Sequence, residues 1–379
     1  MPYPPLVQPS AELSDDEVRR YAHQLILAGH GAPGQRRLAA GRVLVVGADE
    51  IGAPLIAHLA DSGVGFIGIC DGSPLNPWDR CFGMPDTEPS DRASAWAAAL
   101  RRTHPSVRTA VEGRFDVTSA RDLVDGYDLV VCAGEDQARC QLADDVCAAA
   151  GVPLVWGSME ATGGRACVFW DRHGPGFRDL FPEPPAPYFR GMAGTLKVVG
   201  AWLAVTLATE VVKLLTGAGE PLVGRVVKYD AMAATCVTVP LRPDPRARRP
   251  AELTAAEPFF GLLSPAAAEA ARESTVSAEE LKDLLDRGEP VTLVDVREPD
   301  EYAFAHLPGS VLVPQGEFLR GDAADRLPRD RRTVLLCRAG IRSAEVLAVV
   351  KKSGHPDAVH LGGGILAWAE RIDTAMPTY

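Results

Sequence analysis

No two of the eight cysteines in this 379-residue chain form a C-x-x-C pair. That excludes a zinc knuckle or a disulfide framework as the organising device. The thiols, scattered at 70, 81, 132, 140, 147, 167, 236 and 337, are expected reduced, in a cytoplasmic protein. There is no basic excess either. A formal net charge of -11 excludes nucleic acid as the main partner. The opening MPYPPLVQPS lacks the basic start and apolar core of a signal peptide. The longest apolar run, 198–215, follows Lys197 and is interrupted by Thr206, Thr209 and Glu210, so no membrane span is expected. No internal repeat is found, and His30, His58, His104, His173, His355 and His360 show no ligand spacing.

Apolar residues make up 46% of the 379-residue chain, which can bury large cores and suggests two or three domains. Residues 241–274, rich in Pro, Ala and charge, read as a linker, with 259–263 a docking segment; domains at 1–240 and 275–379 flank it. In the first, a capping box at Ser14 and Glu17 opens a helix over 14–28. Apolar strands at 42–46, 65–70, 107–112, 128–132 and 153–156 then alternate with helices at 50–61, 90–102 and 136–150. Such alternation predicts a doubly wound, mostly parallel α/β sheet. Strands at 165–170, 225–229 and 235–239, around a helix over 194–215, read as antiparallel. After 274 a smaller α/β alternation appears, with strands at 292–296, 332–336 and 358–361 and helices at 277–286, 341–351 and 365–371.

The chemistry concentrates in TVLLCRAGIRS, residues 333–343. A strand that runs out at Cys337, followed by Gly340 and a helix, sets sulfur at a helix N-terminus. Backbone N–H groups and the helix dipole there favour a thiolate or persulfide. Arg338 and Arg342 are expected to add positive charge to the same cradle. With LVDVREPDEYAFAHLPGS upstream and HLGGGILAW downstream, residues 275–379 resemble the rhodanese family. The resemblance implies that Cys337 carries a persulfide, wrapped by Arg338, Ala339, Gly340, Ile341 and Arg342. Asp295, Arg297, Glu298 and His306 would support the fold, and Ala305 replaces a usual glycine.

Upstream, RVLVVGADEIGAPLIAHLADSGVGFIGICD, residues 42–71, has the strand–glycine turn–helix–strand–acid layout of a nucleotide-binding βαβ unit. Gly47 and Gly52 bracket the turn, and Asp71 occupies the ribose-binding position. The wider order of motifs over 17–240 resembles the ThiF/MoeB (ubiquitin-activating-like) family. With the rhodanese domain behind it, the chain is similar to MoeZ-type adenylyltransferase/sulfurtransferase fusions. That implies adenylation of the C-terminal glycine of a small ubiquitin-like sulfur-carrier protein, sulfur from a sulfane donor, and a homodimer.

Several positions depart from that pattern. The turn G-x-G-G-x-G reads Gly47-Ala48-Asp49-Glu50-Ile51-Gly52, with two acids for two glycines. A carboxylate at about 4 Å from a phosphate charge costs on the order of 4 kcal/mol at a surface-like dielectric. The arginine after R-Y-x is His23, the loop ending N-x-x-R-Q is shortened to NPWDRC with Arg80, and the next lysine is Arg92. After DLVVC the catalytic aspartate is displaced: Gly134 and Glu135 come first and Asp136 one step late. GFRD (176–179) and DPRA (244–247) stand where the zinc C-x-x-C pairs would be, so zinc is not expected, and ATP with Mg²⁺ is in question. The main expectation is a Cys337 sulfurtransferase whose first domain has kept or lost adenylation. Asp49 and Glu50 could instead form a solvated helix start on a carrier-binding scaffold without enzyme activity. A third alternative is a remodelled pocket using Asp71, Arg80, Arg92 and Glu135.

Overall fold

The computed structural model describes residues 3–10, 12–73, 91–134, 137–181, 195–245, 247, 265–321 and 323–378, which fall into two compact units, one up to 247 and one from 265. In the first unit the strands are β1 (Arg42–Val46), β2 (Phe66–Cys70), β3 (Arg108–Glu112), β4 (Leu129–Ala133), β5 (Leu154–Glu160), β6 (Gly163–Phe169), β7 (Arg225–Asp230) and β8 (Thr235–Pro240). They form one sheet in the order β3-β2-β1-β4-β5-β6-β7-β8. The first five are parallel and the last three antiparallel, as the alternation predicts. The order reverses between β1 and β4, which opens a crevice at their carboxyl ends.

The helices of this unit are α1 (Asp15–Arg20), α2 (Ala22–Leu25), α3 (Gly31–Ala40), α4 (Gly52–Ser62), α5 (Arg92–Thr103), α6 (Ala120–Asp125), α7 (Gln137–Ala150), α8 (Phe177–Leu180) and α9 (Val198–Thr216). Ser14 caps α1 in the expected box. The single helix expected over 14–28 is broken at Tyr21, whose ring is buried in the core. By length and composition α9 could cross a membrane, contrary to expectation. In the fold Leu203, Leu207 and Val211 pack it into the sheet's core.

The second unit holds α10 (Pro265–Glu273), β9 (Thr275–Val276), α11 (Ala278–Asp286), β10 (Val291–Asp295), α12 (Pro299–Phe304), β11 (Val311–Leu312), α13 (Gln315–Arg320), β12 (Arg332–Leu336), α14 (Ile341–Lys352), β13 (Val359–Leu361) and α15 (Gly364–Arg371). Its five-stranded parallel sheet runs β11-β10-β12-β13-β9. The stretch expected as linker is not linker to its end. Helix α10 lays Ala267 and Ala271, fully buried, in the same core as Ala344, Leu347 and Val350 of α14. Residues 259–263 lie outside the described residues.

Candidate active sites

Cys337 follows β12 directly and is 1% exposed. The Gly340 N–H donates to its Sγ at 3.1 Å. Gly340 reaches back because its φ is 91°, a left-handed geometry that L side chains rarely adopt. It is also the cap of α14, so sulfur lies at a helix N-terminus as expected.

Glycines from the HLGGGILAW motif press on the other side of this loop. Ile365 N–H donates to Cys337 O at 2.8 Å and Leu366 N–H to Arg338 O at 3.1 Å. A Cβ on Gly364 would stand 2.3 Å from Cys337 O and 2.5 Å from Arg338 O. The third side is a buried polar group. Gly340 O accepts from Ser343 Oγ at 3.0 Å, and His360 Nδ1 lies 3.3 Å from Ser343 Oγ while its Nε2 lies 2.8 Å from Thr275 Oγ1. Burial pushes the His360 imidazole down to about 4, so the ring is neutral at pH 7.

Arg342 does not bring to the sulfur loop the free positive charge expected of it. Its guanidinium lies at 5% exposure against Glu301 at 7%, so its charge is neutralised and it anchors the loop. Arg338 and Ala339 are half-buried, and half-buried Ile341 packs on the core. Asp295 and Arg297 form a fully buried pair at 2.7 Å, with Arg297 also donating to Ala305 O at 2.6 Å. His306 stacks on Tyr302. Sequence reasoning missed Glu301; its spacing inside the upstream motif was the available signal.

In the first unit, Gly47 follows β1 directly and has φ 98°; a Cβ there would stand 2.4 Å from Ala133 O. A Cβ on Gly52 would stand 1.9 Å from Gly47 O, so both positions require glycine. Asp71, at the end of β2, accepts from Ala48 N–H at 2.8 Å and Ser73 N–H at 2.9 Å. Arg92 Nη1 lies 3.8 Å from Asp71 Oδ2. The structure therefore brings Gly47, Gly52, Asp71 and Arg92 together; Arg80, Glu135 and Asp136 lie outside the described residues.

Asp49 is not a solvated helix start. It is half-buried, and its Oδ1 accepts from Ile51 N–H at 3.2 Å and Gly52 N–H at 3.5 Å. Ala53 N–H goes to Asp49 O, and residue 54 is proline. The first turn of α4 thus spends its donors internally. Burial first, then the neighbouring Glu50, raises the Asp49 carboxyl above its ordinary range. Glu50 alone is exposed, 3.8 Å from Lys197 Nζ. Arg139 of α7, which sequence reasoning passed over, stands 3.4 Å from the point a Cβ on Gly134 would occupy.

The two segments that replace the zinc pairs meet. Asp179 accepts from Gly176 N–H at 2.7 Å and from Asp244 N–H at 2.6 Å.

Residues 21–250 match the ThiF family and residues 277–371 match the rhodanese-like domain. The probable adenylyltransferase/sulfurtransferase MoeZ of Mycobacterium tuberculosis is 41% identical over 99% of both chains. Adenylyltransferase and sulfurtransferase MOCS3 of Mus musculus is 31% identical over 99% of this chain and 90% of its own. In fold, MccB of E. coli superposes with a TM-score of 0.53 at 14% identity, over 61% of this chain and 73% of that one.

Proposed function

The chain belongs to the ThiF family and carries a rhodanese-like domain behind it, and from that premise we propose that it is an adenylyltransferase and sulfurtransferase acting on a small ubiquitin-like sulfur-carrier protein. The observation that carries the sulfur half is the Gly340 N–H on Cys337 Sγ at 3.1 Å, in a loop braced on three sides. That donor stabilises negative charge on sulfur. Relatives of matching length named for both activities support the pairing.

In the proposed sequence, the Cys337 thiolate attacks the outer sulfur of a sulfane donor such as thiosulfate. An S–S bond forms, sulfite leaves and Cys337 holds a persulfide. The terminal sulfur then attacks the carrier's acyl adenylate, forming a C–S bond and expelling AMP. A thiol reductant cleaves the remaining S–S bond, leaving the carrier thiocarboxylate and a mixed disulfide that a second thiol reduces. ATP is the activating substrate. Gly47 and Gly52 leave the turn without Cβ atoms, and Asp49 offers an oxygen donor of the kind Mg²⁺ prefers. Bound Mg²⁺ would supply charge neutralisation on the phosphates.

The scattered cysteine pattern supports a cytoplasmic setting, and the family resemblance supports a homodimer. A second reading, in which adenylation is lost and the first unit only docks the carrier, draws on the filled donors of α4.

Mass spectrometry after thiosulfate treatment tests the sulfur half. One added sulfur atom, absent in Cys337→Ala, is expected; no adduct on the wild type overturns it. Carrier-dependent ATP–pyrophosphate exchange tests the first half, and its absence selects the second reading.

A further inference from the structure

Five buried cysteines share one core of the first unit: Cys70 of β2, Cys132 of β4, Cys140 and Cys147 of α7, and Cys167 of β6. Cys70 and Cys167 are ordinary core thiols. Cys70 Sγ donates to Gly113 O at 2.7 Å and Cys167 Sγ to Leu222 O at 3.6 Å. Burial pushes both thiols up, Cys70 to about 12, which keeps the sulfur protonated and unreactive.

One pair differs. Cys132 Sγ lies 2.9 Å from Cys140 Sγ, with the two residues 0% and 1% exposed. Seven residues separate them in the chain, so the pair exists only because the end of β4 meets the start of α7. An S–S bond is about 2.05 Å long, so the two sulfurs need to approach by less than about 1 Å. Cys140 stands in the first turn of α7, where the helix dipole favours a thiolate. That turn is also where the helix opens most readily. The first four N–H groups of a helix have no partner within it, and local opening costs less than global unfolding. A small oxidant reaches a buried sulfur by that route.

The surroundings give such a bond a consequence. Gly134 and Arg139, between the two cysteines in sequence, border the crevice where the sheet order reverses. A Cβ on Gly134 would stand 3.0 Å from Asp49 Oδ2 and 3.4 Å from Arg139 Nη2. A covalent link from Cys132 to Cys140 fixes where α7 begins relative to that wall.

We propose that Cys132 and Cys140 form an oxidative modification site, which hydrogen peroxide converts to a disulfide that staples the first turn of α7 to the end of β4. The Cys140 thiolate attacks one peroxide oxygen. The O–O bond breaks, hydroxide leaves and is neutralised by the proton Cys140 gave up, and Cys140 becomes a sulfenic acid. Cys132 Sγ then attacks Cys140 Sγ, the S–O bond breaks, and the departing hydroxide takes the Cys132 proton as water. Two thiols and one peroxide give one disulfide and two waters. Thiol exchange reverses the bond, as is usual for disulfides in reducing compartments. The inference stands on the geometry of the first unit and is independent of the proposed function.

To test it, the full-length protein would be treated with hydrogen peroxide under native conditions and its remaining thiols alkylated in denaturant. The unreduced tryptic digest would then be read by mass spectrometry. The expected product joins peptide 122–139 to peptide 140–165, two hydrogen atoms lighter than the separate peptides, with fragmentation placing the bond on Cys140 rather than Cys147. Dithiothreitol should remove it, and neither Cys132→Ala nor Cys140→Ala should form it. Amide hydrogen exchange in the first turn of α7 should be slower in the disulfide form. Recovery of Cys132 and Cys140 as alkylated thiols, in a digest where the exposed Cys236 is oxidised, overturns the site, as does a bond to Cys147. A disulfide that leaves the exchange unchanged overturns the staple.

Discussion

Glu301 grips both ends of the Arg342 guanidinium, Oε2 on Nη1 and Oε1 on Nη2, each at 2.7 Å. The fork joins α12 to the first turn of α14, next to the sulfur loop. Paired and bidentate, it supplies geometry where the sequence suggested charge.

Removing one partner leaves the other charge buried. Glu301→Ala is expected to destabilise the second unit by about 3–5 kcal/mol, with Glu301→Gln costing less because it keeps one acceptor. Urea denaturation of the two variants checks the order. A Glu301→Ala protein as stable as the wild type would show that the pair does not hold the loop.

Gly364→Ala places a methyl group against Cys337 O and Arg338 O at a φ of 61°. The strain is on the order of 1–3 kcal/mol before any clash is counted. Reduced persulfide loading at Cys337, read by mass spectrometry, is the expected outcome.

His360 gives the second unit an acid limit. Its folded pKa, about 4, is below the usual value for histidine, so between about 4 and 6.5 the unfolded chain binds the additional proton. Stability is fully present above that window and falls as pH drops through it, by up to about 1.4 kcal/mol per pH unit. Urea unfolding at several pH values, with proteolysis reading the second unit, should show the slope, and His360→Gln should flatten it.

The Asp179 clasp predicts indifference to chelators. EDTA should leave the melting temperature unchanged, whereas Asp179→Ala should lower it. Loss of the carboxylate orphans the Gly176 and Asp244 N–H groups, and such bonds to a charged acceptor are worth about 1.5–3 kcal/mol each. A melting temperature that falls with EDTA would point to a metal in its place.

Local pattern carried much of the fold into view. The Ser14 capping box, the apolar strands and the Cys337–Gly340 turn each declare themselves within a few residues. Helix α10 was hidden because its alanines sit in a Pro-rich context and become a buried face only against α14. Arg342 looked like a free charge because Glu301 lies 41 residues away. The acids at 49 and 50 looked alike, and only packing gave one to the crevice and the other to solvent.

By itself, the sequence determined two α/β units, a cysteine at the end of a strand, and a glycine turn altered by acids. These follow from periodicity and from the backbone needs of turns, which act over a handful of residues. The tertiary structure decided which charges are spent. It paired Arg342 with Glu301, turned His360 into a neutral support for the sulfur loop, and set the Asp49 carboxylate over Gly134. Each of those outcomes depends on groups far apart in the chain being brought within a few ångströms and removed from water, where a charge must find a partner or give up its proton.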